Sequence, residues 1–203
     1  MITMVNRIKL LKQLEKYPVF TVKNVKDIID KKSNYAKLVV HRLKKAGLIF
    51  ELERNKYTVC KDPWIIASHI VWPSYISSWA AIRYYNLTEQ LPTYIQVITT
   101  RPKKRRNITF SNTTIEFIRI KKENFSGFGK VAYGNADIFI AEKEKALVDA
   151  LYLRHITYDT FYEILQEHLN EINIRKLTDY LKKMKMKNTI KRLKEARIDD
   201  NKR

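Results

Sequence analysis

Cysteine is nearly absent from this 203-residue chain, and the single Cys60 cannot form an internal disulfide, so nothing points to an oxidising compartment. No apolar run approaches the roughly 18 residues that a membrane span requires. A secretory signal is missing too: the opening "MITMVNRIKLLKQLEK" already reads as an amphipathic helix, not as a basic segment followed by an apolar one. Internal repeats and low-complexity linkers are also lacking. These absences lead to the expectation of a soluble, cytoplasmic protein with no membrane partner.

Acidic residues are the other shortage. Lys and Arg number 40 against 21 Asp and Glu, a formal net charge of +19. Through residue 62 there are fifteen cations against six carboxylates, or +9, and the remaining 141 residues carry twenty-five against fifteen, or +10. The excess is therefore about twice as dense in the N-terminal part. Polyanions are the natural partners of such a surface, nucleic acid first and anionic lipid second. A lysine-rich surface inherited from genome composition gives the same count, so charge alone does not choose. Hydrophobic residues at 45% and charged residues at 30% form an ordinary globular balance, and the length suits one large domain or two modest ones.

Apolar residues fall with helical spacing in three sets: Ile8, Leu11 and Leu14; Val22, Val25, Ile28 and Ile29; Ala36, Val39, Val40 and Leu43. Thr21 is placed to cap the second helix and Ser33 or Asn34 the third, while Gly47 suits the left-handed position that ends it. "LIFELE" and "KYTV" then read as strands around the two-residue turn "RN", where Asn55 tolerates a positive φ better than Arg54. Three helices and a hairpin in this order are a winged helix–turn–helix. Its third helix would enter the major groove with Ser33, Asn34, Tyr35, Lys37, Leu38 and His41 outward near its start. Asn pairs with adenine and Lys reaches guanine; Arg42, Lys44 and Lys45 suit phosphate. Arg54 and Lys56 would place the wing tip against the backbone or minor groove. Many domains with the same core pattern bind protein instead, but the basic face beside a polar helix start favours DNA.

Beyond residue 61, Asp62-Pro63 opens a new element, with Asp as cap and Pro at the first helical position. "WIIASHI" reads as a short helix broken at Trp72-Pro73, and "SYISSWAAIRYYN" as a second helix closed by Asn86. "TYIQVITT", "ITF", "TIEFIRI", "KVAY" and "DIFIA" read as strands. Helices are expected at Glu142–Arg154, Tyr158–Leu169, Ile174–Met184 and Thr189–Ile198. The fold class is therefore α+β: an N-terminal winged helix–turn–helix (1–61), then a mixed α/β domain (62–203) with a small sheet in 62–155 and helices in 156–203.

This second part resembles the AbiEi-type antitoxins, also described as transcriptional regulators of viral defence systems. The residues that carry the likeness are "PSYISSWAAIRYYNLTEQLP", "VITTRPKKRRN" and "ADIFIAEKEKALVDALY", and with the winged helix in front it spans nearly the whole chain to about Tyr152. Asn86 stands where the family often has Gly, and Lys143 where it often has Pro. The resemblance implies an antitoxin whose N-terminal domain represses its own operon by binding promoter duplex. Its C-terminal domain would counteract a cognate nucleotidyltransferase toxin without needing a stable complex. No cofactor, metal or catalytic activity is expected, and a homodimer on DNA is a further expectation. The competing readings are a winged-helix regulator whose C-terminal domain senses a ligand or partner, and a nucleic-acid-processing enzyme.

The loop "RPKKRRN" (Arg101, Lys103, Lys104, Arg105 and Arg106) can neutralise phosphates or meet an acidic patch, since adjacent cations repel without a counter-charge. Asp137, Glu142, Glu144, Lys145 and Asp149 invite a nuclease reading, but the Glu-x-Lys spacing fails, and first-turn carboxylates answer the helix dipole. "GFGKVAYG" precedes a strand where a phosphate-binding loop would follow one. His41, His69, His155 and His168 lack metal-ligand spacing, and no nucleophile elbow is present. Trp72, Tyr75, Trp79, Tyr84 and Tyr85 could stack bases, but most of them follow helical spacing, so core packing is the better reading. "KKMKMKNTIKRLKEAR" reads as a basic amphipathic helix pair with Met184, Ile190 and Leu193 on its apolar side.

Overall fold

A computed structural model describes residues 6–196. Asn6 caps the first helix, α1 (Arg7–Leu14), by accepting the Lys9 backbone N–H at 3.1 Å. Thr21 and Asn24 make a reciprocal capping box at the start of α2 (Val22–Ile29). α3 (Ser33–Lys45) differs from the expected start: Lys32 holds the cap position, Ser33 is already helical, and no side chain caps the turn. Gly47 ends this segment at φ +67°, the left-handed backbone that a Cβ disfavours. β1 (Phe50–Glu53) and β2 (Lys56–Thr58) then pair antiparallel with an irregularity between Glu51 and Glu53. Of the two turn residues only Asn55 takes a positive φ, which removes the objection to Arg54.

Leu10, Leu14, Phe20, Val25, Ala36, Val40, Leu43 and Ile49 form one apolar core, and a Phe20–Tyr57 bridge clips the hairpin to the chain before α2. A second and larger core begins in the same hairpin, because Leu52 belongs to it. Phe50 sets its ring against Phe110 at 5.8 Å. Glu53 ion-pairs with Lys103, and the Lys56 ammonium donates to the Ile70 carbonyl. The hairpin is thus the seam between the three-helix part and the rest.

Asp62 caps α4 (Pro63–Ala67), as its Asp-Pro pair leads one to expect. The next stretch departs from the expectation of one helix: Ser74–Ile76 is a strand, β3, and only Ser78–Tyr84 is helical, α5. All three β3 residues are buried, and the strand pairs with a neighbour on each side, so sheet pairing overrides the helical spacing that follows it. Asn86 does take the left-handed conformation, at φ 56°.

β4 (Tyr94–Thr99), β5 (Asn107–Phe110), β6 (Thr113–Arg119), β7 (Phe128–Tyr133) and β8 (Ala136–Ala141) correspond to the five strands read from the sequence. With β3 they form one six-stranded mixed sheet in the order β5-β6-β4-β3-β8-β7, larger than the small sheet expected. β4 runs parallel to β6 in register from Tyr94↔Thr114 to Thr99↔Arg119, and its residues Ile95–Thr99 are all buried, the mark of a central strand covered on both faces. α6 (Lys143–Tyr152), α7 (Tyr158–Glu167), α8 (Ile174–Lys183) and α9 (Lys187–Glu195) follow. The last two residues of the helix expected at Thr189–Ile198 lie outside the described residues. Phe161, Leu165, Leu177, Leu181, Met184 and Leu193 join the same core as the sheet, with Ile190 packed against it. Among the described residues, no helix is long and apolar enough to cross a membrane.

α6 is buried along nearly its whole length, charges included. The Lys145 ammonium meets the Asp149 carboxylate, which also accepts hydrogen bonds from Ser77 Oγ at 2.8 Å and Tyr75 Oη at 3.1 Å, locking β3 to α6. Glu142 and Glu144 do more than answer the helix dipole. Glu142 accepts the Tyr180 hydroxyl and pairs with Lys176 at 2.9 Å, and Glu144 accepts the Asn173 N–H at 2.9 Å. Both therefore anchor α8. Burial raises the Glu142 carboxyl, but the bonds from Tyr180 and Lys176 outweigh it and leave the group below its ordinary value.

Tyr180 explains Gly127, whose φ is +75°: an added Cβ would lie 2.6 Å from its ring carbon and hydroxyl oxygen. Because Glu142 holds that hydroxyl, the ring cannot swing aside without breaking a bond. Gly127→Ala is expected to destabilise the protein by about 1–3 kcal/mol, from backbone strain and overpacking together. Urea denaturation measures it, and the double change Gly127→Ala/Tyr180→Ala should lose less than the sum of the two single changes.

Candidate nucleic-acid interface

α3 turns Ala36, Val39, Val40 and Leu43 into the smaller core, and this orients the opposite face by geometry alone. Ser33, Asn34, Lys37, Leu38, His41, Arg42 and Lys45 are all exposed there, whereas Tyr35 is half-buried and leans on the core. Leu38 shows 41% of its surface, a large apolar side chain left in water on a helix with no acidic residue. The uncapped first turn leaves N–H groups beside Lys31 and Lys32, both exposed, an arrangement that attracts anions. Those two lysines were not singled out from the sequence, although their position before the helix was readable.

Three of the expected contact residues are otherwise engaged. Lys44 pairs with Glu51 on the hairpin, an interaction that holds its ammonium above the ordinary lysine value. Lys56 pairs with Glu53 at 2.8 Å as well as reaching Ile70. Lys103 is only 9% exposed: it pairs with Glu53 and sits over the Phe117 ring at 4.6 Å. Burial raises Glu53, but the hydrogen bonds from Lys103 and Lys56 outweigh that and leave its carboxyl below the ordinary value. The two lysines are fasteners, and Glu53 is their shared counter-charge.

This fastening brings together two basic segments that are far apart in sequence. A groove of about 410 Å³ opens between the hairpin and the loop after β4, walled by Glu53, Arg54, Lys56, Val71, Pro102, Lys103, Lys104 and Arg105. Arg54, Arg101, Lys104, Arg105 and Arg106 are exposed, and among the described residues none has an ion-pair partner. Adjacent guanidinium and ammonium groups held this way can neutralise successive phosphates.

Other polar clusters offer less. A second groove, of about 370 Å³ between α7 and α9, is lined by carboxylates of Asp159, Glu163 and Glu195, with Arg192 laid over Tyr158 at 4.8 Å. Ser78, the first residue of α5, has φ 58° and its Oγ 2.6 Å from His155 Nδ1. Ser78 is fully buried, so the pair fastens α5 to the chain after α6 and does not face a substrate. Among the aromatic residues read as core, Tyr75 is buried and Trp79, Tyr84 and Tyr85 are packed against the core, but Trp72 is 61% exposed. No protein-family model matches the chain, and no curated protein matches it.

Proposed function

We propose that this protein is a winged-helix repressor that binds duplex DNA at the promoter of its own operon, and that it acts there as the antitoxin to a nucleotidyltransferase toxin. The observation that carries the DNA reading is the outward face of α3, polar and cationic from Lys31 to Lys45 with no carboxylate on the helix. In this reading α3 is the recognition helix, with Asn34 and Lys37 at base edges and Arg42 and Lys45 on phosphate. The β1–β2 hairpin is the wing, Arg54 its tip, and the groove beside it carries the phosphate contacts on toward Lys104 and Arg105. The antitoxin part rests on the sequence resemblance and assigns toxin antagonism to the chain after residue 61. Co-expression with the neighbouring toxin, scored by colony growth, tests that part.

The basic loop supplies a separate test of the DNA part. Replacing Lys104, Arg105 and Arg106 with Ala should lower the slope of log affinity against log salt by up to about 0.9 for each phosphate no longer neutralised. Titration of a promoter duplex at several salt concentrations measures it, and an unchanged slope would remove the loop from the footprint. Lys103→Ala belongs to another class, because it leaves Glu53 half-satisfied and loosens the seam.

A further inference from the structure

We propose that the basic groove and the exposed indole of Trp72 together form a binding site for single-stranded nucleic acid, with phosphates on the cations and an unpaired base stacked on the ring. Trp72 is the residue after Val71, which walls the groove. The β3–β4 pairing places the two basic and aromatic segments side by side: Ser74 stands opposite Thr99, so the chain before β3 and the chain after β4 leave the same end of the sheet. Thr99 Oγ1 fixes that junction by donating to the Pro73 carbonyl at 2.7 Å and accepting the Arg101 N–H at 3.1 Å. Lys56 closes it from the hairpin side through the Ile70 carbonyl.

Phe139 holds the indole in a T-shaped arrangement at 4.8 Å, yet 61% of Trp72 stays in water. The ring rests toward β8, and the cationic loop leaves β4 on the other side of β3, so the two share one end of the sheet across a single strand. An exposed aromatic ring and unpaired cations spaced in this way suit a single strand: every base offers a π-face, and the backbone tracks the positive charge. A duplex hides its base faces, so the indole adds nothing to duplex affinity. This site draws on the groove of the duplex reading but not on α3, so each reading stands or falls separately.

The test uses the full chain and three labelled probes of equal length: oligo-dT, oligo-rU and a random-sequence duplex, titrated by fluorescence anisotropy. Trp72→Ala should weaken both single strands by roughly 5- to 150-fold, the range for removing the platform under one stacked base, and leave the duplex unchanged. Trp72→Phe should keep most of the single-strand affinity. Lys104→Ala/Arg105→Ala should weaken all three probes. Asn34→Ala/Lys37→Ala should leave single-strand binding as it is, even if it abolishes promoter recognition. Intrinsic fluorescence gives a second readout that avoids the alanine variant: oligo-dT should quench the wild type and fail to quench Trp72→Phe. A larger loss for one sugar assigns the natural ligand to RNA or to DNA. Unchanged single-strand affinity in Trp72→Ala, equal losses on single strands and duplex, or quenching that persists in Trp72→Phe would overturn the proposal.

Discussion

Replacing Lys145 with Met should cost about 3–5 kcal/mol of folding stability at neutral pH, because it strands the Asp149 carboxylate in the core. Lys145 is 1% and Asp149 0% exposed, so water cannot take the place of the missing ammonium. In the intact protein burial already pushes Asp149 up, against the opposing pull of Lys145, Ser77 and Tyr75. Without Lys145 the upward push is opposed only by the two hydroxyls, and the folded-state value rises further above the unfolded one. A raised folded value makes the carboxyl's contribution fully present below the unfolded pKa and lost as pH climbs through the folded one. The variant should therefore be least impaired in mild acid and most impaired near neutrality. Lys145→Met/Asp149→Asn should recover part of the loss at neutral pH, since Asn still accepts from Tyr75 and Ser77. Denaturant titrations at two pH values measure this, and equal losses at both, with no recovery in the double variant, would contradict the assignment.

Asn34→Ala and Lys37→Ala should each weaken binding to the protein's own promoter duplex by roughly 5- to 150-fold, the loss of one base interaction of about 1–3 kcal/mol. Binding to a random duplex should hardly change. Lys45→Ala should weaken both duplexes alike, as removal of a phosphate-neutralising cation does. Lys45 is the better choice for this comparison than Lys44, which Glu51 already holds. Losses of equal size on both duplexes for all three variants would remove base reading from α3.

The three N-terminal helices, the hairpin and five of the six strands of the larger sheet were legible because each carries its own periodicity or turn chemistry: Val39, Val40 and Leu43 on α3, Asn55 in the turn, Gly47 after the helix. β3 was not legible. Its three residues precede a strong helical pattern, and their strand state depends on β4 and β8 beside them, which no local window contains. The same holds for the charges. Composition shows that Lys103 is one cation in a run, but not that Glu53, fifty residues earlier, neutralises it and leaves Lys104 and Arg105 to face solvent. Trp72 shares its stretch with core aromatics, but it adjoins Pro73 and precedes both β3, which buries Tyr75, and α5, which packs Trp79 and Tyr84 against the core.

Competition between a duplex from the region upstream of this protein's own reading frame and a random duplex of equal length and composition, at moderate salt, separates base reading by α3 from general attraction to polyanions. The α3 reading predicts that the upstream duplex wins by about a thousandfold or more, and that the preference disappears in Asn34→Ala/Lys37→Ala while residual, salt-sensitive binding survives. Equal affinity for the two duplexes in the intact protein, with binding that salt alone governs, would contradict it.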